Sequence, residues 1–525
     1  MAKSAKKNLN PPTPSTHGHG DSKPLTDISP AEARTTKRDI ESHPRGRFGR
    51  LFPDLPPSDL PRETLIALGQ SMVEHEGQED DSEVPAGYTY FGQFVDHDLS
   101  FDSQGPLSAP TGPNEQQRSP ELELDSLYGK GPRNPESRDM YVGPPTEARF
   151  KIGNTSPLPF APADRAFPND LPRDANRKAI IGDPRNDENL IVAQTHLLFL
   201  KFHNKILDIL PTIRPEQDLA RPNESPFGRA RRLVTWHYQW IVWHDFVKRF
   251  AWAGVTRSIE QVGPMFYRLR SDERPYMPFE FSVAAYRMGH SMIRDDYRYN
   301  RFFPDATLEQ LFQFTGTGGL AGLPTLPSNW IINWSHFYKL GGGKLNKAHK
   351  FDTKLEDPLF HLHPTPGIPG EDVPNPALHA LAVRNLLRSK QVGLPSGQRV
   401  AQEMGAVILQ PNQVGTPNAQ VNANTPLWYY ILREAEVYGN GGVDFGPLPP
   451  DKGGFTLGPV GSRIVAEVFW GLLHNDSSSY LRQQPMWRPI FPAETPGTFT
   501  MADLVRFVND INPLGDNSGP DDDND

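Results

Sequence analysis

An unusual set of polar side chains lies within an apolar stretch of the sequence, Tyr90-Phe91-Gly92-Gln93-Phe94-Val95-Asp96-His97-Asp98-Leu99-Ser100-Phe101-Asp102. In a helix, Gln93, Asp96 and His97 stand at i, i+3 and i+4 and share one face. Asp98 is rotated by about 100° from His97 and faces elsewhere. A polar strip in an apolar setting costs free energy unless a cofactor or a metal pairs with it. Taken alone, the motif fits a buried histidine paired with an aspartate equally well, so the rest of the chain must decide.

The composition describes a folded, aromatic-rich protein. The chain has 525 residues, of which 36% are apolar and 22% charged, with 29 Phe and 9 Trp. This length allows one large domain or two to three ordinary ones. The net charge of −9 argues against a general nucleic-acid binder. Because the chain has no cysteine, disulfides, cysteine nucleophiles and thiolate-ligated metals are excluded.

The ends of the chain differ in composition from its middle. Residues 1–45 are rich in Lys, Ser, Thr, Pro, Gly and His and predict a disordered leader, and residues 514–525 predict an acidic disordered tail. No apolar segment follows the basic N-terminus and no run of about eighteen apolar residues occurs, so we expect no signal peptide and no transmembrane helix. The cytoplasm is the default location, with export by a leaderless route as the alternative.

Apolar periodicity between these ends predicts a mainly α fold, in one large domain over residues 46–513 with long irregular loops and very little sheet. The first helix is capped near Ser58 or Asp59 and runs to Val73, and the next contains residues 90–102. Further helices are predicted over 188–210, 226–253, 279–293, 306–314, 376–390, 396–406, 425–437, 459–474 and 500–511.

One acidic segment stands out in the proline-rich region that follows. In Arg118-Ser-Pro-Glu-Leu-Glu-Leu-Asp-Ser-Leu-Tyr-Gly129, oxygen-bearing side chains recur at every second position and the segment ends in a turn. Ser119, Glu121, Glu123 and Asp125 would face one side. Such a set suits Ca²⁺, which prefers six to eight oxygen ligands. The alternative is an acidic, half-exposed strand.

Five segments, taken in order, resemble the animal-type haem peroxidases, the peroxidase–cyclooxygenase superfamily that includes myeloperoxidase, here in a short, bacterial-type form. They are the distal-haem helix at 92–101, the calcium loop at 119–128, the catalytic-arginine segment with its following helix at 185–205, the proximal-histidine helix at 286–290 and the segment at 385–395 whose Asn supports that histidine. The resemblance implies a haem peroxidase catalytic domain over 46–513. It covers most of the chain expected to be ordered.

The resemblance implies a role for each of several residues. His290 would ligate the iron of haem b through Nε2, and Asn385, together with Arg287, would support it, Asn385 by accepting a hydrogen bond from its other nitrogen. His97 would act as general base and then acid on H₂O₂. Arg185 would stabilise the charge on the departing oxygen.

Three further residues would contact the cofactor or its ligands. Gln93 would hold water or a halide, whereas Asp96 and Glu188 match the carboxylates that form ester bonds to haem methyl groups in the family. Asn189 stands where myeloperoxidase has a Met that forms a sulfonium link, so that link is expected to be absent. Calcium would be bound by Asp98, Ser119, Glu121 through its carbonyl, Glu123 and Asp125, although Ser119 and Glu123 depart from the family pattern.

The function implied is the reduction of H₂O₂, as in the response to oxidative stress, through a ferryl intermediate that oxidises a halide, a pseudohalide or an aromatic donor. A haem-dependent fatty-acid oxygenase is the alternative. Its radical-forming Tyr would lie three residues before the proximal histidine, where this chain has Arg287, but Tyr286 lies four before and could approach the same face. Tyr286 is otherwise a packing aromatic. A non-catalytic interaction module is the third alternative. The sequence leaves the oligomeric state open.

Overall fold

The computed structural model describes residues 46–74, 81–101, 115–116, 118–269, 275–341, 344–362, 376–440 and 453–515. The predicted leader and nearly all of the predicted tail lie outside these residues. Leu514 is buried against Phe167 and Ile331. Packing therefore continues one residue past the predicted end of the domain at residue 513, and the division into leader, domain and tail stays a prediction.

The described chain is mainly helical, as predicted. In its first half the α-helices are α1 Arg62–Gln70, α2 Gly87–Leu99, α3 Asp125–Tyr128, α4 Leu190–Ile209, α5 Pro215–Asp218, α6 Pro226–Trp240, α7 Lys248–Phe250 and α8 Ala253–Val262. In its second half they are α9 Leu308–Gln313, α10 Leu381–Gln391, α11 Gly397–Glu403, α12 Pro411–Val414, α13 Ala419–Ala423, α14 Leu427–Tyr438, α15 Pro459–Asn475, α16 Tyr480–Gln483 and α17 Met501–Val508.

Short 3₁₀-helices fill many of the connections. They are Arg138–Met140, Pro184–Asp187, Leu210–Thr212, Ala285–Met292, Leu320–Gly322, Ser328–Trp330, Trp334–His336, Asp357–Phe360 and Pro376–His379. Strands are short, and they are β1 Gly46–Gly49, β2 Asp81–Pro85, β3 Glu115–Gln116, β4 Tyr141–Val142, β5 Arg149–Phe150, β6 Met277–Pro278, β7 Asp296–Tyr297, β8 Ala306–Thr307 and β9 Lys347–His349. β1 joins β3 and β6 in the one three-stranded sheet of the described residues, and the other strands pair two by two.

Two predicted helices differ from a regular α-helix. The helix predicted over 226–253 is α6 followed by a π-helix, Ile241–Val247, and then by α7, after which Ala251 is extended. The segment predicted over 279–293 is a π-helix, Glu280–Ala284, followed by the 3₁₀-helix Ala285–Met292. Apolar periodicity detects both segments as helical, but it cannot distinguish these windings, which often occur near functional sites.

A side-chain cap marks the start of α4 but not the start of α1. The Asn189 side chain accepts hydrogen bonds from the backbone N–H groups of Ile191 and Val192 at the start of α4. α1 begins at Arg62 with no side-chain cap, so the predicted caps at Ser58 and Asp59 are not used.

α2 packs against α4 in the centre of the core. Phe94 of α2 stacks on Phe199 of α4 with 4.9 Å between ring centroids, and Tyr238 of α6 meets both rings edge-on. These pairs hold the polar face of α2 in a fixed orientation. Among the described residues, no helix is both long and apolar enough to cross a membrane.

Candidate active site

A cavity of about 90 Å³ lies where α2 faces the segment Glu280–Met292. Its wall is mostly apolar, with a few polar side chains on opposite sides. Gln93 and Asp96 come from α2, and Arg287 and His290 come from the facing segment. With Tyr286, the structure thus brings five of the predicted site residues together, along with Asn189, which stands at the same wall.

His290 contacts Asn385, as predicted. His290 Nδ1 lies 2.8 Å from Asn385 Nδ2, and Asn385 Oδ1 accepts a hydrogen bond of 2.5 Å from Arg287 Nη1. Because a guanidinium only donates, the amide oxygen faces Arg287 and the amide nitrogen donates to His290. The predicted hydrogen bond ran the other way, from His290 to the amide oxygen. In this arrangement the His290 proton resides on Nε2.

His97 is fully buried behind the α2 side of the cavity and is not part of its wall. Its Nδ1 donates to Asn186 Oδ1 over 2.8 Å, and its Nε2 has no hydrogen-bond partner among the described residues. Burial, with a smaller effect from the Arg185 guanidinium, lowers the pKa of His97 to about 3. The imidazole is therefore neutral, with the lone pair of Nε2 available.

Arg185 is also absent from the cavity wall, although it was predicted to reach the departing oxygen. Its guanidinium forms a buried ion pair with Asp183, 2.7 Å from Nη2 to Oδ2, and its Nη2 donates to the His97 carbonyl over 2.9 Å. The guanidinium also lies over the ring of Phe101 at 4.4 Å. These contacts hold the pKa of Asp183 far below its usual range. Arg185 supports the end of α2 in this structure.

The two carboxylates predicted to bind haem covalently are placed differently. Asp96 lies at the cavity wall, where Ser100 Oγ donates to its Oδ1 over 3.0 Å. Burial raises the pKa of Asp96, and Arg185 opposes that shift. Glu188 is buried but is not part of the wall.

Tyr286 connects the two sides of the cavity. Its hydroxyl donates to the Gly92 carbonyl over 3.1 Å, and its ring stacks on Phe281 with centroids 4.7 Å apart. Burial and the nearby Asp96 carboxylate raise the pKa of Tyr286 well above 10. A Cβ at Gly92 would lie 3.0 Å from the Phe246 ring, so a larger residue there would press on this packing.

The predicted calcium segment is irregular, not a strand, up to the start of α3. Leu124 has a φ of 60°. Burial, followed by the neighbouring carboxylates of Asp125 and Glu123, raises the pKa of Asp98. Burial, followed by the carboxylates of Asp476, Glu123 and Asp125, raises the pKa of Glu121 to about 8. The acids of the predicted calcium segment therefore lie near one another.

Their hydrogen bonds, however, are already made within the protein. The Asp98 carboxylate accepts from Leu124 N, from both N and Oγ of Ser126 and from the Tyr238 hydroxyl. Ser119 Oγ donates to Glu123 Oε1 over 2.6 Å. Asp125 pairs with Arg118 through one oxygen, while its buried Oδ1 has no partner. Within the described ranges, no three His, Asp or Glu side chains converge as metal ligands.

Four residues of this site were not predicted. Asn186 and His196 lie behind His97, with Asn186 Nδ2 2.9 Å from His196 Nδ1. Asp183 anchors Arg185, and Arg118 joins Asp183 to Asp125. Within the turn at 182–187, the sequence analysis assigned a role to Arg185 but none to Asp183 or Asn186. One signal could have revealed His196, a histidine in the middle of a strongly apolar helix.

Comparisons with known proteins agree with the predicted family. The model of the animal haem peroxidase family matches residues 127–314. A peroxidase-like protein of Margaritifera margaritifera is 27% identical over 386 residues, which are 64% of this chain and 41% of that protein. Human thyroid peroxidase is 25% identical over 293 residues, 52% of this chain and 28% of the relative. The chain thus spans less than half the length of these curated relatives.

Solved structures support the fold. Peroxidase A from Dictyostelium discoideum is 16% identical and superposes with a TM-score of 0.52 over 89% of this chain and 94% of its own. Fatty acid alpha-dioxygenase from Oryza sativa is 12% identical and superposes with a TM-score of 0.53 over 90% of this chain and 80% of its own. Together these matches show that the chain is similar to animal haem peroxidases and shares the fold of peroxidase A and of the fatty acid alpha-dioxygenases.

Proposed function

We propose that the chain is a haem peroxidase, which reduces H₂O₂ and oxidises a small halide, pseudohalide or aromatic donor. The supporting observation is the placement of the two histidines. His290 lies at the cavity wall, and His97 lies behind the opposite, α2 wall with a buried and unpartnered Nε2. A purely structural protein would have no need for this pair.

The donor set fits haem, which the family implies. His290 is a nitrogen ligand at the wall, and Gln93, Asp96 and Arg287 are the polar groups around it. The cavity of about 90 Å³ is smaller than typical cofactor pockets of about 300–1,000 Å³. A porphyrin would therefore require side chains of the wall to move.

Haem would supply the iron at which the O–O bond of peroxide breaks. The protein's own contribution begins at His97, whose Nε2 would take a proton from peroxide and return it to the departing oxygen, which leaves as water. Arg185 would act by fixing the end of α2 and by keeping His97 neutral through its charge. Gln93 would position water or the donor from one helical turn away.

We also propose that haem is attached covalently to the protein. Asp96 is the carboxylate that reaches the cavity wall, so we expect an ester through Asp96 before one through Glu188. Extraction of haem with acidified acetone, followed by mass spectrometry of the protein, tests this. Retained haem mass that disappears in Asp96→Asn supports the ester, and full release from the wild type contradicts it.

Calcium binding stays a prediction of the sequence. The gathered acids and the unpartnered Asp125 oxygen favour a cation, but the Asp98 carboxylate is already occupied by four donors. The residues as placed do not form a calcium site. Calorimetric titration of EDTA-treated protein with Ca²⁺ tests the prediction. Stoichiometric binding that is lost in Asp98→Asn would support calcium binding, and the absence of any heat of binding would contradict it.

The first experiment is an absorption spectrum of haem-loaded protein before and after one equivalent of H₂O₂, in wild type and in His290→Ala. We expect a Soret band that depends on His290 and shifts with peroxide. His203→Phe is the control, because His203 is a buried histidine that lies away from the cavity. If haem did not bind to the wild type, both enzyme proposals would fail, and an interaction module would be the better hypothesis.

A second candidate function is a haem-dependent fatty-acid oxygenase. One observation favours it: Tyr286 lies at the cavity wall, with its hydroxyl on α2. The superposition on fatty acid alpha-dioxygenases supports the fold alone. Oxygen uptake with linoleate and no added peroxide, lost in Tyr286→Phe, would favour the oxygenase. Uptake that requires peroxide and survives Tyr286→Phe would exclude it.

A further inference from the structure

Three buried side chains form a hydrogen-bonded row behind the cavity. His97 Nδ1 lies 2.8 Å from Asn186 Oδ1, and Asn186 Nδ2 lies 2.9 Å from His196 Nδ1. All three side chains are fully buried. Among the described residues, the outer nitrogen Nε2 of each histidine has no partner. The reaction proposed above uses His97 but not the other two.

The amide of Asn186 gives this row a direction. Its oxygen can only accept and its nitrogen can only donate. His97 must therefore carry its proton on Nδ1, and its Nε2 keeps a lone pair. His196 must accept at Nδ1, so its proton resides on Nε2. A reversed amide would place a proton on His97 Nε2 and block it as a base. The two arrangements exclude each other.

We propose that Asn186 is a positioning residue that holds His97 in the Nδ1–H tautomer, and that His196 fixes the direction of Asn186 by accepting from its amide nitrogen. The consequence for reaction with peroxide rests on the proposed function. The tautomers themselves are a property of the chain and can be measured with or without haem.

Two substitutions at residue 186 separate positioning from packing. Asn186→Leu keeps the approximate shape but removes both hydrogen bonds, so the His97 tautomer is no longer imposed. Asn186→Asp keeps an acceptor toward His97 and replaces the donor toward His196 with a second acceptor. His97 then keeps its Nδ1 proton, whereas His196 moves its proton from Nε2 to Nδ1. Simple loss of packing would not produce this selective inversion.

Long-range ¹H–¹⁵N correlation spectra of full-length protein labelled with ¹⁵N-histidine report the tautomers directly. Spectra are recorded before haem is added and again as the diamagnetic ferrous carbonyl complex, with His97→Gln and His196→Gln for assignment. We expect Nδ1–H for His97 and Nε2–H for His196 in the wild type, and the inversion of His196 alone in Asn186→Asp. Nε2–H at His97 in the wild type would overturn the proposal, as would an unchanged His97 tautomer in Asn186→Leu.

The matched controls are Asn204→Leu and His203→Phe. Asn204 lies on α4 like His196, and its amide bonds to the backbone of Phe150 away from the cavity. Neither control should change the spectrum of His97. A change in both would indicate that loss of packing alone alters the tautomer and would overturn the proposal.

Stopped-flow measurement of the reaction with H₂O₂ then tests the consequence. We expect Asn186→Leu to lower the second-order rate constant by about 10–100-fold, as for other residues that orient a catalytic histidine. Asn186→Asp should recover most of the rate, and KM for the donor should not change. An unchanged rate constant in Asn186→Leu would overturn the positioning role. If no haem bound at all, the proposed function would fail, and the spectra would still decide the tautomers.

Discussion

Two histidine–asparagine pairs flank the cavity, and their amides point in opposite directions. On one side, Asn186 presents its oxygen to His97, so the lone pair of His97 Nε2 is free. On the other, Asn385 presents its nitrogen to His290, because Arg287 occupies the amide oxygen. The same two residue types therefore leave the two imidazoles in different tautomers.

The difference shows what must change when a metal binds. His97 is already prepared to accept a proton, whereas His290 must expose a lone pair at Nε2 before it can ligate iron. For that, Asn385 must turn its oxygen to His290 Nδ1–H, and Arg287 must share or release that oxygen. We call the His97 pair the base side and the His290 pair the ligand side.

The largest effect is expected from exchanging the histidines for glutamine. His97→Gln should slow the reaction with H₂O₂ by about 10²–10⁴-fold, because general acid–base catalysis is worth that much, and should leave the Soret band in place. His290→Gln should alter the Soret band itself. Absorption spectra and stopped-flow kinetics measure both, with His203→Gln as control. Equal effects of the two variants on the band would refute the division into a base side and a ligand side.

The base side contains a buried ion pair, between Asp183 and Arg185. Asp183→Leu should lower the free energy of unfolding by about 3–5 kcal/mol, because it leaves a buried charge uncompensated. The double variant with Arg185→Leu should cost less than the sum of the single variants. Urea unfolding provides the measurement. Lys130→Leu breaks an exposed pair with Glu136 and should cost under about 1 kcal/mol. A similar cost for Asp183→Leu would be inconsistent with an essential anchor.

On the ligand side, the direction of the amide can be tested by substitution. Asn385→Leu should weaken haem binding by about 10–100-fold, since it removes support from the ligand. Asn385→Asp can accept from both Arg287 and His290, so it should bind haem at least as tightly as the wild type. Haem titration and the iron–histidine stretch in resonance Raman spectra measure this. If both variants weakened haem binding equally, a hydrogen-bond acceptor at residue 385 would not contribute to haem binding.

The smallest effect concerns acid stability, to which His196, the hydrogen-bond partner of Asn186 on the base side, should contribute. Burial lowers the pKa of His196 to about 3 from 6.5, so the unfolded chain binds the extra proton between these values. Stability is therefore fully present above pH 6.5 and falls as pH decreases toward 3. His196→Leu should reduce this slope by about 1.4 kcal/mol per pH unit. Unfolding at pH 4–6 tests it, with His361→Leu at an exposed histidine as the comparison. An unaltered slope in His196→Leu would show that this histidine is not responsible.

The sequence predicted the mainly α fold and the face of α2, because apolar spacing directly reports which residues share a helix side. It also placed Gln93, Asp96 and His290 at one cavity. It could not give the partners supplied by distant segments. Arg185 is engaged by Asp183, and the orientation of Asn385 depends on Arg287, a residue 98 positions away. Such contacts depend on tertiary packing, which spacing along one helix does not encode.

The π-helix Ile241–Val247 has a consequence for the tolerance of this fold to changes in chain length. A π turn accommodates an additional residue locally, while the flanking α segments keep their orientation. Removing one residue there would restore α winding and leave α6 and α7 facing their present neighbours. The same deletion in α4 would rotate every later side chain of that helix by about 100° and turn His196 or its successors away from Asn186. Natural single-residue deletions should therefore be found in this π segment before they are found in α4.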